Sequence, residues 1–71
     1  MIPLKLANKN EEVKIQRIKG DEKIVKHLAS LGITESGTIT VISTAPSGVM
    51  VQVKESRLAI DSQVASYIFV Y

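Results

Sequence analysis

Length, composition and charge set the first limits on this protein. The chain has 71 residues, no cysteine, 45% hydrophobic residues and a formal net charge of +2. A chain of this length forms one domain, placed at residues 1–71, and the lack of cysteine excludes disulfides, thiolate zinc sites and iron–sulfur clusters. With no disulfide to form and no apolar block of signal-peptide length at the N-terminus, the sequence predicts a cytoplasmic protein.

Residues 11–19 predict the first strand. Val13 and Ile15 alternate with polar residues, but Ile18 falls one position out of phase. A period of two that is broken by one residue indicates a β-bulge near Gln16 and Arg17. Such curvature is typical of a small barrel.

A helix of about three turns is predicted next, over residues 21–31. Asp21 is suited to cap its N-terminus, and Gly32 is suited to the left-handed conformation that ends many helices. Apolar residues at intervals of three and four form one stripe along this helix. The stripe consists of Ile24, Leu28 and Leu31, widened by Val25. We expect it to plug an open end of the barrel.

Short strands fill the rest of the chain. The alternation of β-branched and polar residues predicts strands over residues 38–43 and 49–53, a shorter strand around Leu58 and Ile60, and a last strand over residues 67–71. Asp61 is suited to cap a single helical turn over residues 62–65. The predicted fold is mainly β: a small barrel of about five strands, with one three-turn helix after the first strand and one helical turn before the last.

No group of side chains predicts catalysis, and we expect a protein that is not an enzyme. General acid–base chemistry needs two carboxylates that converge in a cleft, whereas Asp21 and Asp61 are explained as helix caps. His27 is the single histidine, and no carboxylate lies three or four residues away from it. It is therefore expected to be a solvated helix residue. The alternative is a transient metal ligand that acts with Glu35 or with a second chain.

The aromatic residues are confined to the C-terminal segment, where they alternate with Ile68 and Val70. If this aliphatic pair faces the barrel, the rings face outward, either covered by residues 2–4 or forming a contact surface. Aromatic residues and methionine are enriched where proteins meet. The candidate partner-binding residues are therefore Met50, Tyr67, Phe69 and Tyr71. The C-terminal strand is also a candidate site of homo-oligomerisation.

Basic residues are concentrated in the first part of the chain. Seven of the nine lie between Lys5 and Lys26. Acidic residues are interleaved with them, and no aromatic residue lies in the same stretch to stack on a base. We therefore expect no nucleic acid partner. The alternative is a small nucleic-acid-binding barrel that uses Lys14, Arg17 and Lys19.

Several segments together resemble one protein family. They are Gly20-Asp21-Glu22-Lys23, Leu28-Ala29-Ser30-Leu31-Gly32-Ile33-Thr34, Gly37-Thr38-Ile39-Thr40-Val41, Val49-Met50-Val51-Gln52-Val53, Arg57-Leu58-Ala59-Ile60 and Val64-Ala65-Ser66-Tyr67-Ile68-Phe69-Val70. Over about residues 4–70 the chain is similar to the ferrous iron transport protein A (FeoA) family. Two turns depart from the family pattern: Glu35-Ser36 replaces a Pro-Gly-like pair, and Glu55 replaces a glycine. A positive φ at Glu55 would cost roughly 1 kcal/mol.

The resemblance implies a fold, a role and a partner. The fold is an SH3-like barrel. The role is that of a cytoplasmic accessory protein without enzymatic activity or a required cofactor. The partner is the cytosolic portion of the ferrous iron transporter, a GTPase–permease, which would hold the protein at the inner membrane. A related barrel in iron-dependent repressors supports an alternative, a module that responds directly to a divalent transition metal ion through His27 and carboxylates.

Overall fold

The computed structural model describes all residues from Met1 to Tyr71. Its six strands are β1 (Ile2–Pro3), β2 (Glu12–Ile18), β3 (Thr38–Ala45), β4 (Gly48–Val53), β5 (Ser56–Asp61) and β6 (Ile68–Val70). A 3₁₀ helix (Leu4–Leu6) and two α-helices, α1 (Glu22–Ser30) and α2 (Ser62–Ala65), complete the fold. Neither α-helix has the length and hydrophobicity that a membrane-spanning helix needs.

All strand pairs are antiparallel, and the order in the sheet is β1-β6-β2-β3-β4-β5. The mainly-β prediction is confirmed, with five predicted strands and both predicted helices present. The structure adds β1 and the 3₁₀ helix, so that α1 follows the second strand instead of the first. A two-residue strand is too short to show a period of two, and its Pro3 lacks the N–H that a ladder uses.

The predicted bulge is present in β2. Ile15 lies opposite Val70, yet Arg17 lies opposite Phe69, so the register shifts between Ile15 and Arg17. Because of this extra residue, both Ile15 and Ile18 turn into the core. The residues between them and on either side stay exposed.

Helix α1 begins and ends as its capping residues predict. The Asp21 Oδ1 accepts a hydrogen bond from the backbone N–H of Ile24 at 2.9 Å. At the other end Gly32 has a φ of +88°, and the N–H of Ile33 donates to the Leu28 carbonyl at 2.9 Å. These are the features of a Schellman motif.

The predicted apolar stripe of α1 is only partly correct. Leu28 is fully buried and Ile24 half-buried. Leu31 and Val25, however, are 36% and 39% exposed. The helix ends before Leu31, and the left-handed turn at Gly32 carries the fully buried Ile33 into the core in its place.

The core is entirely aliphatic. Every buried residue is apolar, and none of the three aromatic residues is among them. Val49, Val51 and Val53 of β4 are all buried, as their alternation predicts. Polar chemistry is therefore confined to the surface.

The strain expected in the β4–β5 turn falls one residue earlier than Glu55. Lys54 has the positive φ, 56°, and Glu55 does not. In the turn before β3, Ser36 has a φ of 70°. Glycine is required in the β3–β4 turn for a different reason, since a Cβ on Gly48 would lie 2.2 Å from the carbonyl oxygen of Ile60.

Candidate functional site

The pairing of β2 with β6 brings the aromatic residues beside basic ones. Arg17 lies opposite Phe69. One step along, the Lys19 N–H donates to the Tyr67 carbonyl at 2.7 Å, and at the other end the Tyr71 N–H donates to the Lys14 carbonyl at 3.2 Å. We call this surface the basic–aromatic face; it consists of Lys14, Arg17, Lys19, Tyr67, Phe69 and Tyr71.

The rings of this face differ in exposure. Phe69 is half-buried between the fully buried Ile68 and Val70, Tyr67 is also half-buried, and Tyr71 is 67% exposed. The outward orientation that the alternation predicts is therefore present. The N-terminal segment lies beside β6, with Pro3 opposite Phe69.

Cations on this face have no acidic partner. The one ion pair in the molecule joins Lys26 to Glu22, at 2.9 Å, on the exposed side of α1. The Lys19 Nζ instead lies 4.9 Å from the centroid of the Phe69 ring, a cation–π distance. The positive charge of Lys14, Arg17 and Lys19 thus faces solvent.

Strand β6 is an interior strand of the sheet. It has hydrogen-bonded neighbours on both sides, β1 and β2, and the ends of the strand order are β1 and β5. A second chain that paired with β6 would have to displace β1. Homo-oligomerisation through the C-terminal strand stays a prediction.

Met50 lies on a different part of the surface from the aromatic residues. It is on β4, opposite Ser43 of β3 and Ala59 of β5, and β2 and β3 separate β4 from β6 in the sheet. Its side chain is 37% exposed and lines an open groove of about 490 Å³. Short side chains, among them Ser43, Ala45, Gly48 and Ala59, form much of the rest of the groove.

A smaller cleft of about 80 Å³ continues this groove between α1 and α2. It is lined by His27, Leu31 and Val64, and it shares Asp61 and two further residues of β5 with the larger groove. We call the two together the Met50 groove. The only histidine of the chain therefore stands at one end of a depression that mixes apolar and polar side chains.

The two candidate metal ligands, Glu35 and His27, lie in different surroundings. The Glu35 Oε2 accepts a hydrogen bond from the Ile18 N–H at 3.0 Å and so holds the end of β2. His27 shares its cleft with Asp61, whose Oδ1 accepts a hydrogen bond from the Val64 N–H at 2.8 Å as the N-cap of α2. No group of three or more potential metal ligands is present.

The arrangement offers two candidate binding surfaces. The basic–aromatic face presents cations and rings, and the Met50 groove presents apolar side chains beside polar ones such as Ser43 and Asp61. The first surface is not evident from the sequence, because the basic and aromatic residues lie far apart along the chain. The signal that could have shown it is the antiparallel pairing of the first long strand with the last one.

Comparisons with known proteins agree on one family. The family model of the FeoA domain matches residues 2–71. The crystal structure of an iron uptake regulatory protein, FeoA, superposes with a TM-score of 0.87 at 27% identity, covering 97% of this chain and 93% of that one. No curated protein matches the sequence.

Two more distant structures share the fold alone. The solution structure of iron(II) transport protein A from Clostridium thermocellum has a TM-score of 0.85 at 15% identity and covers 97% of this chain. The crystal structure of ScaR with bound Zn²⁺ has a TM-score of 0.86 at 15% identity and covers 99%. This chain spans 44% and 36% of their respective lengths. The barrel that the resemblance implied is confirmed.

Proposed function

Since this chain belongs to the FeoA family over residues 2–71, we propose that it is an accessory protein of ferrous iron uptake. In this proposal it acts in the cytoplasm by binding the cytosolic portion of the ferrous iron transporter, a GTPase–permease. That partner would hold it at the inner membrane. The name of its 27%-identical structural relative, an iron uptake regulatory protein, supports the iron context.

The Met50 groove is the observation that carries this proposal. Met50 is a flexible apolar side chain that is exposed between shorter neighbours, Ser43 and Ala59. Short neighbours leave space on either side of the thioether, and methionine adapts its shape to a bound apolar side chain. A volume of about 490 Å³ is in the range of pockets that hold a compact ligand. The groove is thus suited to receive one or two apolar side chains of a partner protein.

Three surface carboxylates have structural roles, which supports a binding function over a catalytic one. Asp21, Asp61 and Glu35 each accept a backbone N–H, which assigns them to the ends of helices and a strand. A binding module of this kind needs no cofactor. We expect the transporter interaction to persist in a metal chelator.

A binding measurement with a matched control tests the proposal. The purified chain is titrated with the cytosolic portion of the transporter without nucleotide, with GDP and with a GTP analogue. Met50→Ser should weaken binding about tenfold, because roughly 1.4 kcal/mol of apolar contact is lost. Val25→Ser, at a similarly exposed position on α1, should leave it unchanged. Absence of binding in all three nucleotide states would overturn the proposal, and equal binding by both variants would move the contact away from the groove.

A direct response to a divalent metal ion is the second candidate function. His27 and Asp61 line the same cleft, and an imidazole with a carboxylate suits first-row transition metals. Titration with Fe(II), Mn(II) or Zn(II) should shift the His27 ring resonances in NMR spectra, and His27→Ala should abolish the response. Unchanged His27 resonances at saturating ion would dismiss this function.

A further inference from the structure

The basic–aromatic face is continuous with an apolar edge. Met1 and Ile2 are 57% and 40% exposed, and Ile2 lies opposite Val70 in the β1–β6 pair. The register therefore places Met1 beside Tyr71, at the end of β6. Opposite residues of an antiparallel pair share a face, so Ile2 lies on the inward side with the buried Val70, whereas Met1 and Tyr71 lie on the outward side. Met1 and Tyr71, two strongly exposed apolar side chains, therefore stand at one end of the basic–aromatic face.

Charge on this surface is of one sign along most of its length. Lys14 and Arg17 of β2, and Lys19 directly after it, are exposed and form no ion pair. Two acidic residues border the row: Glu12 at its N-terminal end, and Glu35, whose Oε2 accepts the Ile18 N–H at 3.0 Å. The surface therefore complements an anionic partner.

We infer that the basic–aromatic face binds an anionic lipid surface, which orients the domain with β1, β6 and β2 against the membrane. Anionic headgroups attract cations within a Debye length of the surface. Lysine, arginine and tyrosine place their apolar parts against lipid while their polar ends stay in water. Met1 and Tyr71 supply the protruding apolar groups that enter the headgroup boundary.

Other anionic partners fit these residues less well. A single-stranded nucleic acid stacks its bases on accessible rings, but Phe69 is half-buried and the Lys19 ammonium lies over its ring. An acidic protein segment would satisfy the cations but would leave Met1 and Tyr71 without an apolar partner. A lipid surface uses both kinds of group at once.

The membrane-bound orientation leaves the Met50 groove accessible. Strands β2 and β3 separate β4 from β6 in the sheet, so the two surfaces lie on different parts of the barrel. Lipid binding and transporter binding can therefore occur together. Each can also be measured without the other, because the vesicle experiment contains no transporter.

Vesicle co-sedimentation tests this inference with the full chain. Phosphatidylcholine vesicles are compared with vesicles that also contain phosphatidylglycerol. We expect binding only to the anionic vesicles, and we expect it to weaken as the Debye length falls from roughly 10 Å at 0.1 M salt to 3 Å at 1 M. Equal binding to neutral vesicles, or none to anionic ones, would overturn the inference.

Two triple variants of equal net charge locate the surface. Replacing Lys14, Arg17 and Lys19 by Ser should lower partitioning into anionic vesicles roughly a hundredfold, about fivefold for each cation. Replacing Lys9, Lys23 and Lys26 by Ser should change it far less. These six positions are exposed, and circular dichroism verifies that both variants fold. Equal losses would mean attraction by net charge alone and would overturn the assignment.

A single variant tests the apolar contribution, and a competitor tests the alternative partner. Tyr71→Ser should reduce binding severalfold at unchanged charge, because an exposed ring is removed. An unchanged affinity for anionic vesicles would contradict the insertion of Tyr71 into the headgroup boundary. Binding of a single-stranded oligonucleotide that is stronger than vesicle binding, with loss in the same triple variant, would assign the face to nucleic acid instead.

Discussion

The ammonium group of Lys19 lies 4.9 Å from the centroid of the Phe69 ring, although the two residues stand near opposite ends of the chain. Their contact exists because β6 inserts between β1 and β2. It gives the single phenylalanine of the protein a charged neighbour on the outer side of the barrel. Its energetic contribution can be measured directly.

A double-mutant cycle should show coupling between these two residues. We expect the changes Lys19→Met and Phe69→Leu to be non-additive by about 0.5 kcal/mol in the free energy of unfolding, the size of an exposed cation–π contact. Urea denaturation of the four proteins gives this number. The same cycle with Lys14 in place of Lys19 should give no coupling. Equal coupling in both cycles would indicate a general effect of charge on this surface.

Two leucines of α1 should differ sharply in their contribution to stability. Leu28 is fully buried, whereas Leu31 is largely outside the core. Leu28→Ala should lower the free energy of unfolding by about 3 kcal/mol, from lost contacts and a cavity. Leu31→Ala should lower it by less than about 1 kcal/mol. Similar losses in urea denaturation would mean that Leu31, and not Ile33, fills the end of the barrel.

Glycine should be stabilising at Lys54 and not at Glu55. Lys54 has a φ of 56°, a left-handed conformation that costs a side-chain-bearing residue roughly 1 kcal/mol. Glycine relieves this cost but adds roughly 0.5 kcal/mol of unfolded-chain entropy, so Lys54→Gly should raise the midpoint of thermal unfolding slightly. Glu55→Gly should lower it slightly, because glycine adds entropy to the unfolded chain. The opposite order in calorimetry would place the strained residue at Glu55.

The cap of α2 should depend on an oxygen acceptor at residue 61. Asp61 Oδ1 accepts the Val64 N–H at 2.8 Å. Asp61→Ala should lower the free energy of unfolding by about 1 kcal/mol. Asp61→Asn keeps an oxygen acceptor and should therefore cost much less stability. Both variants remove the negative charge, so an equal loss in denaturant titrations would point to charge instead of capping.

Local patterns in the sequence were sufficient for most of the fold. The broken alternation around Gln16 predicted the bulge, and Asp21 with Gly32 predicted both ends of α1. These features depend on neighbours within a few residues. The prediction that Leu31 lies on the buried stripe is wrong, because the helical spacing of apolar residues continues past the residue where the helix ends.

The two surfaces are harder to predict from the sequence, because they depend on pairing between distant segments. In the sequence the basic residues around β2 and the rings around β6 are separate features, and Met50 joins the rings only by residue type, although it lies across the sheet from them. No local pattern encodes that Arg17 lies opposite Phe69. The alternation of Ile68 and Val70 gave the outward orientation of the rings, but not their neighbours.

The interior position of β6 also makes folding depend on long-range pairing. Strand β2 and the two-residue β1 both hydrogen-bond to residues 68–70, at least 50 positions further along the chain. Until this pairing forms, Ile15 and Ile18 lack the strand that lies opposite them in the sheet. Such non-local pairing slows folding and exposes apolar segments to aggregation in the meantime. The barrel is therefore completed by its longest-range strand pairs, and removal of residues 68–70 would leave β1 and one side of β2 without a partner strand.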